Sequence, residues 1–159
     1  MKVLIQRVSE ASVSIEGHVV SSIRRGLVVL LGVEKGDDSM AVDKLLHKVS
    51  HYRIFPDQDG KMNLNVQQIG GSLLVVSQFT LAADTRKGLR PGFSTAAEPE
   101  LAEGLYEEFI SKAKEQNIIV ATGQFGADMQ VALINDCLLY TFRAHETVLA
   151  LVCRLLLEK

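Results

Sequence analysis

A chain of 159 residues with 47% apolar and 23% charged residues has the make-up of one folded domain, long enough to bury a core without disulfides or metals. Those proportions exclude disordered, collagen-like and coiled-coil chains, and a formal net charge of -2 argues against a protein that coats nucleic acid through a broad basic face while leaving room for a local positive patch. The two cysteines, Cys137 and Cys153, form no regular framework, which points to a reducing, cytoplasmic compartment.

The opening MKVLIQRVSEASVSIEG alternates like sheet and lacks the apolar stretch and cleavage site of a signal peptide. Residues 2–8 and 12–15 are predicted as two strands, followed by a Glu16-Gly17 turn, HVVSSI, and the buried run LVVLLGV after Gly26. Val42, Leu45, Leu46, Val49 and Tyr52 recur at helical spacing, predicting a helix over 39–52 capped by Asp38 or Ser39. In FPDQDGKMNLNV the glycine follows Asp59 directly and the oxygen ligands are wrongly spaced for a calcium loop, so a hairpin turn is expected. A strand over Ser72 to Thr80 comes next, then a second helix after Pro99 with Leu101, Leu105 and Phe109 on one face and Ala102, Tyr106 and Ala113 beside it. Residues 118–121 and 128–134 are two further strands, joined by a turn containing Gly123 and Gly126. The longest apolar run, VLALVC, is too short to span a bilayer. Two helices among many strands, with hairpin turns early and a strand-helix-strand passage late, predict a single α/β domain. Its sheet is mixed, curved and barrel-like, with both helices packed on one face.

Few residues offer chemistry. His47 and His51 share a helix face, but HKVSH has neither the glutamate of a zinc protease nor an obvious third ligand, and no metal site is expected. His18 and His145 lie beside no nucleophile in sequence, and Gly60-Lys61 lacks the flanking residues of a phosphate loop. The stretch SLLVVSQFTLAADTRKGLRPGFS is different. A core strand ends in the hydroxyls of Ser77 and Thr80 and the amide of Gln78, and a loop carrying Arg86, Lys87 and Arg90 follows. Two readings fit this composition: a polar strand end running into a solvated loop, or a small polar pocket beside a phosphate-binding loop. The second suits a substrate with an acyl end and an anionic body, as an aminoacylated nucleic acid has.

IQRVSEASVSIEG, LVVLLGVEKGDD, YRIFPDQDGKMNLNVQQ, SQFTLAADTRKGLRPGFS and FGADMQVALIND together resemble the D-aminoacyl-tRNA deacylases, also called D-tyrosyl-tRNA deacylases, over residues 1–136. The resemblance implies the compact α/β fold of that family and a cytoplasmic homodimer without cofactor. The implied activity is hydrolysis of the ester joining a D-amino acid, or glycine mischarged on alanine tRNA, to the terminal adenosine of tRNA. It implies a catalytic signature at Ser77, Gln78, Phe79 and Thr80, with a supporting Arg7 and a substrate pocket around Ala102, Phe125 and Met129. An aminoacyl ester is already activated, so positioning and oxyanion stabilisation by backbone N–H groups near Phe79 and Thr80 are the main needs. In the family picture the tRNA's own 2'-hydroxyl assists, which agrees with the lack of a base beside Thr80 in the sequence.

The second signature of the family, a Gly-cis-Pro pair that reaches into the partner's site and rejects L-amino acids, is replaced here. Asn135-Asp136 is followed by Cys137-Leu138, where a cis peptide is disfavoured by about 2.5–4 kcal/mol without proline. The deacylase-like domain is assigned to residues 1–142, and the helix-like composition of 143–159 predicts a helical tail without a domain of its own. The expected function is therefore D-aminoacyl-tRNA hydrolysis with a compromised chiral filter. A weak or silent dimer that still holds the tRNA 3' end is the alternative, and a generic ester hydrolase using Thr80 or Ser77 is a third.

Overall fold

The first strand determines most of the architecture. In a computed structural model that describes residues 1–85, 89–136, 141–144 and 149–151, β1 runs unbroken from Lys2 to Ile15. The two strands expected there are one, because Ser9-Glu10 does not end the strand. The β1 register against a later strand shifts between Val8 and Glu10, so Ser9 is an extra residue that bends the chain. The extra residue also reverses the side-chain alternation. Val3 and Ile5 enter one core, whereas Val8, Ala11 and Val13 all enter a second core on the other face.

The N-terminal half of β1 pairs antiparallel with β3 (Gly26–Gly32), and its C-terminal half pairs with β2 (His18–Ile23). From β3 the chain passes through α1 (Ser39–His51) and a short hairpin, β4 (Phe55–Pro56) with β5 (Met62–Leu64). It returns as β6 (Ser72–Ser77), parallel to β3. A second crossover through α2 (Pro99–Glu115) delivers β7 (Ile119–Thr122), parallel to β6. Both crossovers step the same way across the sheet. Since such connections are right-handed, both helices fall on one face. Finally β8 (Met129–Asn135) returns to the C-terminal half of β1, while β9 (Thr141–Ala144) pairs with its N-terminal half and β10 (Leu149–Leu151) pairs with β9. The mixed sheet curls into a nearly closed, barrel-like form.

Burial follows the two-residue period of the strands. Leu27, Val29, Leu31, Leu73 and Val75 face the helices, where they meet Val42, Leu46, Val49 and Phe109. Their neighbours Val28, Leu74 and Val76 face Val131 and Leu133 of β8 inside the curl. Helix α1 starts at Asp38, whose carboxylate accepts from the Ala41 N–H at 2.9 Å. Helix α2 begins with Pro99 and carries Lys112 and Lys114 in its last turn, both favourable placements. Lys112 reaches across to Asp43 of α1 and along its own helix to Glu108.

The expected hairpin turn at FPDQDGK is explained by one carboxylate. Asp57 accepts from the N–H groups of Asp59 and Lys61 and from the Asn63 amide, bonds that hold its carboxyl below the usual range.

Two sequence expectations need correction. The strand predicted to reach Thr80 stops at Ser77, and Phe79–Ala82 form a 3-10 turn. The tail is not helical where it is described: Arg143 and Ala144 belong to β9 and Leu149–Leu151 is β10. The free edge of β1 offers β9 a ladder and β9 in turn offers one to β10, and such tertiary pairing overrides a weak helical propensity.

Candidate active site

The carboxyl ends of parallel strands are where open α/β sheets leave a crevice. Here β3 and β6 end side by side, the two apolar layers part, and a cavity of about 530 Å³ opens between them. Leu31 and Val33 continue from β3, and Val76 and Ser77 end β6. Ala102 and Tyr106 of α2 form one wall, and Phe125, Met129 and Val131 form the other.

The polar segment is shaped by its backbone. The Gln78 N–H donates to the Leu31 carbonyl at 2.7 Å, extending the parallel ladder by one residue before the 3-10 turn swings away. Gly32 makes this close approach possible. A Cβ there would lie 2.9 Å from the Gln78 carbonyl oxygen and 2.9 Å from Leu81 Cβ. At the start of the turn, Phe79 is 60% exposed at the rim and its ring leans on Phe93 at 5.1 Å. The Gln78 side-chain amide donates to Thr80 Oγ1 at 2.6 Å. The backbone N–H groups of Phe79 and Thr80 have no backbone acceptor among the described residues, as is usual at the start of a helical turn.

Of the residues singled out from the sequence, Ser77, Gln78, Phe79, Ala102, Phe125 and Met129 line this one cavity. Thr80 is exposed and not part of the lining, and its hydroxyl is tied to Gln78. Arg90 is exposed on the loop beyond, while Arg86 and Lys87 lie outside the described residues. Arg7 sits away from the cavity and is only 4% exposed. Its Nη1 donates to the Ile54 carbonyl at 2.6 Å and its Nε to the Asp136 carbonyl at 2.7 Å. The Asp136 N–H returns a bond to the Arg7 carbonyl at 2.9 Å, so the arginine fixes the start of the segment that follows β8. Asn135 ends β8 and accepts from Gln6, and Cys137 and Leu138 lie outside the described residues.

Sequence reasoning placed Tyr106 on a helix face and Gly123 in a turn, without a role for either in the site. The Tyr106 hydroxyl donates to the Val75 carbonyl at 2.9 Å, and its ring packs against Phe125 at 5.9 Å. Burial, helped by the charge of Glu107, pushes this phenol up to about 12. The available signal was chemical, since a phenol on an apolar helix face must find an acceptor. Among the described lining residues Asp128 is the one carboxylate, and there is no histidine, cysteine or lysine. The cavity can therefore bind and orient an apolar-walled ligand against backbone donors, with little means of drawing a proton from a serine or threonine.

The model of the family described as D-Tyr-tRNA(Tyr) deacylase matches residues 4–139. The chain belongs to this family. A D-aminoacyl-tRNA deacylase of Aeromonas hydrophila is 65% identical over 136 residues, covering 86% of this chain and 94% of that protein. One from Pseudoalteromonas translucida is 61% identical over the same shares. A solved structure of the c-Myc DNA Unwinding Element Binding Protein superimposes with a TM-score of 0.85 at 35% identity, covering 91% of this chain and 98% of that one. A probable eukaryotic D-amino acid tRNA deacylase shares the fold, with a TM-score of 0.67 at 15% identity over 85% of this chain and 94% of that one. The family match ends at residue 139, so all of the tail over 143–159, including Leu149–Leu151, falls outside it.

Proposed function

We propose that this chain hydrolyses the ester joining a D-amino acid to the 3' end of tRNA, in the cavity at the ends of β3 and β6. The observation that carries the reading is the placement of Ser77, Gln78 and Phe79 on the cavity lining, where the backbone N–H groups of Phe79 and Thr80 have no backbone acceptor among the described residues. Those donors suit the oxyanion that develops when water attacks the ester carbonyl, a contribution worth about 3–4 kcal/mol per donor in such sites. Apolar walls from Tyr106, Phe125 and Met129 exclude water and hold the acyl and nucleoside groups in place. Thr80 serves as a positioned hydroxyl. Its oxygen accepts from the Gln78 amide, and an amide is no general base, which argues against both a threonine nucleophile and a generic ester hydrolase. The 2'-hydroxyl of the terminal ribose assists the attack in this reading. Exposed Arg90, together with Arg86 and Lys87, contacts tRNA phosphates in an otherwise acidic protein.

The working form is a cytoplasmic homodimer. Supporting this, β8 pairs only with β1 among the described strands and leaves Ile134 55% exposed on its surface. Among the described residues no helix is long and apolar enough to cross a membrane.

The segment held by Arg7 carries the chiral filter, and Cys137-Leu138 loosens it. The test is to incubate the purified chain with D-tyrosyl-tRNA and with L-tyrosyl-tRNA and follow amino-acid release. Release of D-tyrosine well above the uncatalysed rate is expected, with L-tyrosine released at a comparable rate. No release from either, with tRNA still retained in a binding assay, would leave the silent-dimer alternative standing. Strict retention of the L-ester would show that another segment rejects it.

A further inference from the structure

A glycine is retained for one of two physical reasons: a left-handed backbone or a lack of room. Gly123 follows β7 directly and has no left-handed φ, so an alanine could take up its backbone conformation without strain. Room is the constraint. A Cβ on Gly123 would lie 2.4 Å from Met129 Sδ, 3.4 Å from Met129 Cε and 3.8 Å from Val76 Cγ1. The thioether of Met129 thus occupies the place where a side chain at 123 would begin.

We infer that Gly123 is a positioning residue for the proposed reaction: by offering no side chain it lets Met129 lie back against the end of β7, which keeps the cavity open to substrate. Three observations support this. Met129 is itself part of the cavity lining. The backbone at Gly123 cannot easily retreat, because its N–H donates to the Val75 carbonyl at 3.1 Å, the same oxygen that accepts the Tyr106 hydroxyl. Between a hydrogen-bonded backbone and an unbranched thioether with three rotatable bonds, the thioether gives way. Val76, whose Cγ1 would lie 3.8 Å from the added atom, lines the cavity together with Met129, so a displaced thioether alters the cavity wall.

The inference rests on the deacylase reading, and two measurements keep the two separable. In Gly123→Ala the KM for D-tyrosyl-tRNA is expected to rise about tenfold, the scale of a modest overpacking, while kcat changes little. Adding Met129→Ala to Gly123→Ala is expected to bring KM back to within about twofold of Met129→Ala alone, because the crowding partner is gone. A strained or destabilised glycine site would not be rescued by shortening Met129, so failure of that rescue overturns the inference. Separately, methyl-13C methionine NMR reports on the four methionines without any turnover, with Met129→Leu giving the assignment. The Met129 methyl signal is expected to shift in Gly123→Ala while the others stay in place. An unmoved Met129 signal overturns the inference, even if the wild-type chain hydrolyses nothing and the functional reading has failed on its own.

Discussion

At the scale of single residues, the Val75 carbonyl joins the core to the site. It accepts from the Tyr106 hydroxyl and from the Gly123 N–H, and Val75 lies two residues before Ser77. Replacing Tyr106 with Phe removes one donor and leaves the other, so a loss of about 1 kcal/mol in urea unfolding at pH 8 is expected. The pH dependence has a definite sign. The folded phenol is pushed from 10.0 up to about 12, so it favours the folded chain fully below pH 10. That contribution disappears as pH rises toward 12, because the unfolded chain releases the proton first. The wild-type chain should therefore lose stability between pH 10 and 12 more steeply than Tyr106→Phe, and unfolding curves taken across that window give the difference. Ser77 and Gln78 were legible in the sequence because polar groups at the end of an apolar strand are conspicuous. Tyr106 and Gly123 were not, since their roles depend on atoms brought together from α2, β6 and β8.

Among the elements, the junction of β3 with the 3-10 turn is a place where the backbone itself sets the tolerance. The clash that a side chain at Gly32 would create involves the Gln78 carbonyl, which is backbone and cannot rotate away as a thioether can. Gly32→Ala is expected to cost about 1–3 kcal/mol of stability and to lower kcat by about a hundredfold through displacement of Phe79 and Thr80. Deacylation measured below the melting transition, as followed by circular dichroism, separates the two effects. Helices α1 and α2 were legible from apolar spacing and caps. The strand breaks were less so. Ser9-Glu10 looks like an interruption to any rule that counts alternation, yet a bulge with the same two polar residues keeps the strand whole and turns Ala11 and Val13 into the inner core. The tail misled for the opposite reason, its composition describing a helix while an open edge of β1 was waiting to be paired.

For the whole molecule, the two right-handed crossovers explain why one cavity collects residues from distant parts of the chain. Parallel β3, β6 and β7 all end at the same side, so Val33, Ser77 and Phe125 arrive there from segments separated by two helices. Fold class followed from the order of strand and helix patterns, whereas the position of the cavity required the pairing order of the strands, which periodicity does not contain. Sedimentation equilibrium should give twice the 17.4 kDa of one chain if the homodimer is correct, and a single-chain mass at micromolar concentration would refute it. The bulged first strand also governs how the protein is made. Its partners extend from His18 in β2 to Ala144 in β9, so β1 is made before all of them and keeps an unsatisfied edge until β9 has followed. Folding of this sheet is consequently paced by the synthesis of β8 and β9, and the nascent chain is most exposed to wrong strand pairing in the interval before β8 emerges.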